Sequence, residues 1–317
     1  MHQPAQLRVR TRPHGDGDAE IPLVRSCGLL VSRRAVLAAG AAAIALAERP
    51  ARASSPGRVV ALDWGLAATA TNLGRPPISV PAPDWYRRQM VDPALPAGTI
   101  DAGLLFTPNM EVIFDLKPDL ILITSGLRVA QSSLGRIART EVVDLAKPGR
   151  NALDQARQGA REVAALLEVD AEPVISRFAT AVEGAAEAVL AVGDPGPVLL
   201  ASPIDDRHLT VFQPASLLVA TLEAVGLRSA PGKSGQEFKI VGIETLDAFS
   251  GCTALLIDNG APGLAARVSR SRLWSAFDFV RDGRIAVLPP ILGSGGLASA
   301  DRLLGLLPDA LKAARRD

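Results

Sequence analysis

Few side chains in this sequence have the types and the spacing that catalysis requires. His208 is one of three histidines in the chain and lies in the run 205–208, Asp-Asp-Arg-His, where it could form half of an acid–base pair. The alternative is a polar turn before a strand, and the pattern favours that alternative. The sequence has no Gly-x-Ser-x-Gly nucleophile elbow and no histidines and cysteines at metal-site spacing. The hypothesis that the protein is an enzyme is therefore weak.

A glycine-rich run near the carboxyl end resembles a phosphate-binding loop. Residues 293–296 read Gly-Ser-Gly-Gly, but they lack the preceding strand and the Gly-x-Gly-x-x-Gly spacing that such a loop requires. We therefore predict a flexible or tightly turning loop at this position, without a bound phosphate.

The first 53 residues have the features of an export signal. Arg33 and Arg34 precede an uncharged, Ala-rich run, 35–47, and a small-x-small cleavage site follows. Paired arginines are typical of the twin-arginine version of such signals. The apolar run is shorter than the roughly 20 residues that a membrane span needs, which argues against a membrane helix. We predict export by the twin-arginine pathway, with cleavage after Ala53 rather than after Ala47.

Removal of this leader changes the charge and the cysteine content of the protein. The leader holds eight arginines and four acidic residues, so the 34 basic and 33 acidic side chains of the whole chain become 26 and 29. The resulting net charge of about −3 argues against binding to a phosphate backbone, so we expect no nucleic-acid partner. Cys27 is lost with the leader. The remaining Cys252 lies in an apolar run and is predicted to be a buried free thiol.

Apolar runs and helical patterns alternate along the rest of the chain. Continuous apolar runs such as 58–64, 120–124 and 254–258 are typical of strands in a sheet covered on both faces. Apolar residues recur every three or four positions over 152–192, which predicts one very long helix, or two with a joint near Pro173. This layout predicts an α/β fold of two lobes with a ligand in the cleft between them. The predicted segments are a signal peptide (1–53), an N-terminal lobe (54–150), a connecting long helix (151–193) and a C-terminal lobe (194–317).

Several motifs, in order, resemble the substrate-binding proteins of iron–siderophore and vitamin B12 ABC importers. The run 58–64 is similar to the family's opening strand. Three elements of this sequence are similar to the family's signature: the glycine in 99–103, Pro-Asn-Met-Glu at 108–111 and Lys-Pro-Asp-Leu-Ile at 117–121. The stretches that resemble its ferric hydroxamate branch are 205–212, 216–218, 273–276 and 279–284.

The resemblance implies a class III periplasmic binding protein: two Rossmann-like lobes joined by one long backbone helix, with little closure on ligand binding. Such a protein works in the periplasm, is not an enzyme and needs no cofactor, because iron enters only as part of the bound chelate. The implied partners are a small-molecule iron chelate and an inner-membrane ABC permease, and we expect a monomer. Family members dock on permease arginines through one exposed glutamate per lobe, and Glu111 and Glu244 match those two positions.

The predicted cleft departs from the family's pattern. Hydroxamate binders hold the iron-bound oxygens with an arginine and a tyrosine, and Leu105 and Leu127 stand at those two places. Arg128 could supply a replacement cation to an anionic ligand. We therefore expect ferrichrome-type ligands to bind poorly and the cargo to present more apolar surface. The candidate ligand-binding residues are Trp85, Tyr86, Leu105, Leu127, Arg128, Arg207, Leu292 and Ser294, with Ile291 as a further apolar contact.

Two alternatives to a hydroxamate-binding protein stay open. The same fold could carry haem, a corrinoid or another metal chelate, which the missing arginine and tyrosine make a serious possibility. The protein could also be an exported enzyme that acts in the same cleft, but the sequence offers no catalytic residue pair for it.

The export prediction is tested by Arg33→Lys combined with Arg34→Lys, which should leave the precursor in the cytoplasm, because the pathway recognises the paired arginines. Cell fractionation followed by immunoblotting measures the precursor and the mature protein, with Arg25→Lys as the matched control. Unchanged secretion of the double variant would refute the prediction.

Overall fold

The apolar runs in the first half of the chain form a five-stranded parallel sheet. The computed structural model describes residues 56–146, 151–233 and 235–315, and the predicted export signal lies outside them. The strands of this lobe are β1 (Val59–Ala61), β2 (Ser79–Val80), β3 (Ile100–Asp101), β4 (Gly103–Leu104), β5 (Thr107–Pro108), β6 (Leu120–Ile123) and β7 (Arg139–Val142). The sheet has the order β3-β2-β1-β6-β7, and β4 and β5 form a separate antiparallel hairpin.

Polar side chains cap two of the helices of this N-terminal lobe. The helices are α1 (Trp64–Asn72), α2 (Pro83–Gln89), α3 (Met110–Asp115) and α4 (Gln131–Leu134), with a 3-10 helix over Ser125–Ala130. Asp63 accepts a hydrogen bond from the Leu66 amide (3.0 Å) at the start of α1. Asn109 accepts from the amides of Glu111 and Val112 at 3.1 and 3.2 Å at the start of α3. These bonds satisfy amides that have no partner inside the helix.

The segment 151–193 contains two helices, α5 (Ala152–Leu167) and α6 (Glu172–Val192). The prediction of one helix over the whole segment is therefore wrong, and the alternative with a joint near Pro173 is correct. Glu168 ends α5 in the left-handed conformation, with φ of 55°. Pro173 lies in the first turn of α6, where a missing amide hydrogen costs no helical bond. The 21-residue α6 leads into the second lobe and packs along its last helix.

The C-terminal lobe contains a second five-stranded sheet, which is mixed. Its strands are β8 (Val198–Pro203), β9 (His208–Phe212), β10 (Phe238–Gly242), β11 (Thr253–Ile257) and β12 (Ile285–Leu288). Their order is β10-β9-β8-β11-β12; β8, β11 and β12 are parallel, and β9 and β10 are antiparallel to their neighbours. The helices are α7 (Leu217–Ala224), α8 (Leu264–Ser269), α9 (Asp278–Arg281) and α10 (Gly296–Ala313), with 3-10 helices over Ile243–Phe249 and Trp274–Ala276.

The largest hydrophobic core is continuous between the two lobes. It includes Leu66 and Met90 from the N-terminal lobe, Leu200 and Leu288 from the second sheet, and Leu304 from α10. Separate clusters fill the outer face of each sheet. The expected α/β fold, with two lobes joined by a long helix, is confirmed. None of the described helices has the length and apolarity that a membrane crossing requires.

Cys252 and Asp278 lie next to each other in the C-terminal lobe. The thiol is free and 2% exposed, as predicted, and burial raises its pKa. Asp278 Oδ2 accepts hydrogen bonds from the Gly251 amide (2.9 Å), Ser250 Oγ (2.9 Å) and Arg284 Nη2 (2.8 Å). Partial burial raises the pKa of this carboxyl, but the hydrogen bonds outweigh it and lower the pKa to about 2.

The Asp278 carboxylate should make stability depend on pH in the acid range. Because its folded pKa lies below the ordinary value of 3.8, its contribution is complete above that value and is lost as the pH falls through about 2. Asp278→Asn should therefore lower the free energy of unfolding at pH 7 by about 1–2 kcal/mol, after allowance for solvent screening. Urea unfolding at several pH values measures this. A difference from the wild type that persists unchanged at pH 2 would disprove the assignment.

Candidate ligand-binding cleft

The carboxyl ends of the N-terminal strands lie against a loop of the C-terminal lobe. Gly65 lies in the first turn of α1, shortly after β1, and a Cβ at this position would lie 2.6 Å from the carbonyl oxygen of Ser294. A Cβ at Gly295 would lie 2.9 Å from the sulfur of Met90. At Gly65 only glycine permits the approach, because the atom that a Cβ would meet is a backbone oxygen. The candidate cleft therefore has a floor at which both lobes are in direct contact.

Asn259 holds the loop between β12 and α10 in place. Its side-chain amide donates to the Ile291 carbonyl (2.8 Å) and accepts from the Ile291 amide (2.9 Å). Its own carbonyl accepts a hydrogen bond from Gln89 Nε2 of the other lobe at 3.0 Å. Arg302 Nε donates to the Pro290 carbonyl at 2.8 Å. The loop at the cleft floor is therefore fixed by polar contacts as well as by packing.

The hairpin of β4 and β5 directly follows the carboxyl end of β3 and is the candidate N-terminal wall of the cleft. Leu105, in its turn, is half-buried and packs against the core shared by the lobes. The neighbouring Phe106 is 80% exposed, and its ring lies 4.0 Å from the position of a Cβ on Gly126, just beyond the carboxyl end of β6. Arg128 is exposed in the following 3-10 helix, and the described residues give its guanidinium no ion-pair or hydrogen-bond partner.

Two of the predicted ligand-binding residues belong to the core instead. Tyr86 is fully buried, its hydroxyl donates to the Pro93 carbonyl at 2.8 Å, and burial raises its pKa. Leu127 is 4% exposed and packs with Ile113 and Leu134 under the N-terminal sheet. The prediction that Tyr86 and Leu127 contact a ligand is therefore wrong. Ile291 is also fully buried.

Trp85 is exposed although the next residue, Tyr86, is buried, because adjacent residues of a helix point in different directions. Its side chain is 53% exposed on α2, and the Arg88 guanidinium lies over its ring, 4.9 Å from the centroid. A role for Trp85 at the rim of the cleft stays a prediction.

The remaining predicted residues of the C-terminal lobe lie in a turn and in the loop after β12. Arg207 is exposed in the turn between β8 and β9, where its amide donates to Asp205 Oδ1 at 2.7 Å. His208 Nδ1 lies 2.9 Å from Asp205 Oδ2, so the interpretation of this run as a polar turn is confirmed. Leu292 is half-buried against the shared core, and Ser294 is exposed.

Three apolar side chains on β9 and β10 are not among the residues that the sequence predicted for the cleft. Phe212 is half-buried, and its ring lies 3.1 Å from the position of a Cβ on Gly293. Phe238 and Ile240 are 59% and 58% exposed on the edge strand β10. The alternation of apolar residues in Phe-Lys-Ile-Val, 238–241, was a signal for a strand, but it did not indicate which face meets the cleft.

The site contains few ionisable groups. Burial raises the pKa of Asp63, and the charge of Asp144 raises it further, whereas hydrogen bonds from the Leu66 and Gly65 amides lower it. Among the described residues, no group of three or more His, Cys, Asp or Glu side chains could hold a metal ion.

The two predicted docking glutamates are exposed near helix starts. Glu111 lies in the first turn of α3, next to the cap formed by Asn109. Glu244 lies in the first turn of the 3-10 helix Ile243–Phe249, and its carboxylate folds back against Gly242. The structure contains no partner chain, so their role in docking stays a prediction.

Comparisons with known proteins agree with this architecture. Residues 59–292 match the family profile described as periplasmic binding protein. The chain is 30% identical over 289 residues to the iron(3+)-hydroxamate-binding protein FhuD of Escherichia coli, an alignment that covers 89% of this chain and 97% of that protein.

Two solved structures are similar to the whole two-lobed fold. The Fe3+–Desferal-bound siderophore-binding protein FhuD from Vibrio cholerae matches with a TM-score of 0.75 and 26% identity, over 82% of this chain and 99% of that one. The periplasmic catecholate-siderophore binding protein VctP from Vibrio cholerae matches with a TM-score of 0.61 and 20% identity, over 81% and 94% of the two chains. Since the family profile spans most of the chain and the Escherichia coli relative nearly all of it, this chain belongs to the periplasmic binding protein family.

Proposed function

We propose that this protein is the periplasmic, substrate-binding component of an ABC importer for a ferric chelate, and that it has no catalytic activity of its own. The observation that carries the proposal is the junction of the two lobes, where Gly65 approaches Ser294 in the loop held by Asn259. A cleft preformed at the junction of two lobes is a common site for a small-molecule ligand. The shared core also favours a protein that receives its ligand without a large closure.

The proposed cargo is a ferric hydroxamate or a related chelate. The Escherichia coli relative is named as an iron(3+)-hydroxamate-binding protein, and the Vibrio cholerae FhuD is bound to Fe3+–Desferal. The iron would enter as part of the cargo, so the protein itself needs no metal ligands. Leu105 stands where hydroxamate binders are expected to carry an arginine, and the buried Leu127 supplies no phenol. Arg128 is the candidate to replace the missing cation.

Export by the twin-arginine pathway would bring the protein to the periplasm, where a permease could receive its cargo. We propose that Glu111 and Glu244, one on each lobe, contact arginines of that permease. Each is exposed in the first turn of a helix, where a carboxylate is favoured by the helix dipole. The absence of other described contacts to Glu111 leaves its carboxylate available for a partner.

The cargo class is tested by isothermal titration calorimetry of the mature protein with a ferric trihydroxamate, a ferric catecholate, haem and cobalamin. We expect submicromolar binding of a ferric trihydroxamate with apolar spacers. We expect Arg128→Ala to weaken an anionic chelate by about tenfold, because a charge-assisted hydrogen bond contributes roughly 1.5–3 kcal/mol. Native mass spectrometry of protein from iron-limited cells would identify the natural chelate. Tight binding of haem or cobalamin, with no binding of any ferric chelate, would overturn the proposed cargo.

The docking assignment is tested with Glu111→Ala combined with Glu244→Ala. A single exposed ion pair is worth only about 0–1 kcal/mol, so the double variant should show the loss of uptake most clearly. Uptake of radioactive iron by cells and calorimetric affinity should separate docking from ligand binding. We expect uptake to fall and ligand affinity to stay within about twofold of the wild type. The matched control is Glu183→Ala combined with Glu187→Ala, two exposed glutamates on α6. Wild-type uptake by the first double variant would refute the assignment.

A further inference from the structure

The register of β9 and β10 puts a strip of apolar side chains on one face of the C-terminal sheet. Phe238 lies directly opposite Phe212, and Ile240 lies directly opposite Thr210. Residues directly opposite each other in an antiparallel pair project to the same face. Phe212, Phe238 and Ile240 therefore share a face, which reaches the outer edge of the sheet at β10.

This face is the one that bears the core shared by the lobes. Thr210 pairs with Ser202 of β8, so Leu200, two residues earlier, lies on the same face. Leu200 belongs to the core shared by the lobes, and Phe212 packs against that core. The neighbouring Leu199 belongs to the separate cluster on the outer face. The apolar strip thus continues the shared core outward to the edge strand β10, and Phe212 lies 3.1 Å from the position of a Cβ on Gly293, the residue before Ser294 at the junction of the lobes.

The N-terminal lobe also carries an exposed phenylalanine beside the shared core. Phe106, at the tip of the hairpin formed by β4 and β5, is more exposed than Phe238. Its neighbour Leu105 packs against the same shared core that Phe212 contacts. Both lobes therefore carry an uncovered ring beside a half-buried apolar residue. A phenylalanine ring is a large apolar surface without a hydrogen-bonding group.

We infer, on the basis of the proposed function, that Phe106 and Phe238 are specificity-determining residues that select ferric chelates with an apolar organic shell. Such a shell, for example polymethylene spacers between the iron-binding groups, gains affinity when it leaves water against these rings. A peptide shell would have to desolvate amide groups against walls that cannot pair with them, which is unfavourable. The rings therefore discriminate by the shell of the chelate, not by its iron-binding groups.

Two neutral, cyclic ferric trihydroxamates test this inference. Ferrioxamine E has pentamethylene spacers, ferrichrome has a peptide ring, and both bind iron through three hydroxamates, so only the shell differs in chemistry. Calorimetry should give an affinity for ferrioxamine E at least tenfold above that for ferrichrome, with a more negative heat-capacity change. Phe106→Ser combined with Phe238→Ser should lower the affinity for ferrioxamine E at least tenfold and leave that for ferrichrome within threefold.

Two further variants separate apolar contact from damage to the fold. Phe106→Leu combined with Phe238→Leu should keep the preference, because leucine preserves an apolar surface. Phe114→Ser, at a phenylalanine on α3 that is 64% exposed, should leave both affinities unchanged. Because all three phenylalanines are exposed, the melting temperatures should stay close to that of the wild type.

The possible failures are distinguishable. If the wild type binds no ferric chelate, the proposed function itself is wrong. If it binds both trihydroxamates equally, or if the double serine variant loses both to the same extent, the proposed function stands and the selection by Phe106 and Phe238 is wrong.

Discussion

The position of the loop between β12 and α10 is the constraint on which the cleft depends. Asn259 pairs both of its side-chain amide groups with the main chain of Ile291, and its own carbonyl accepts a hydrogen bond from Gln89 of the other lobe. Buried or half-buried polar groups are costly when they lack partners, so this arrangement favours one position of the loop. The close approach of Ser294 to Gly65 is possible because the loop is held there and because Gly65 has no side chain.

A continuous core reinforces this constraint. Residues of both lobes and of α10 belong to one hydrophobic cluster, and α6 packs along α10. A hinge movement that opened the cleft would expose part of that cluster to water, at a free-energy cost proportional to the apolar area. The two walls of the cleft are therefore held at a defined separation before a ligand arrives. A preformed site loses little of its binding free energy to reorganisation, which suits a protein that must also release its cargo.

The chemistry of the walls follows from what this rigid junction leaves uncovered. Leu105 and Phe212 are half-buried where they meet the shared core, whereas Phe106 and Phe238 extend beyond it into solvent. A ligand that covered both rings would remove their apolar surface from water. Arg128, in the 3-10 helix after β6, adds a cation that has no partner among the described side chains.

The sequence by itself determined the features that depend on neighbouring residues. The caps at Asp63 and Asn109, the apolar strands, the polar turn at His208 and the break near Pro173 all follow from local conformational preferences, and the α/β class follows from their order. The family motifs, which are also local, indicated the two-lobed architecture correctly.

Only the tertiary structure decided which side chains face the cleft. Tyr86 and Leu127 have the positions in the sequence that suggest a ligand contact, but packing turns both into the core. Phe106 and Phe238 lie more than a hundred residues apart, and the register of β10 against β9 decides which face Phe238 occupies. A shift of that register by one residue would turn Phe238 to the opposite face, and hydrogen bonds between distant segments, not local preference, prevent it.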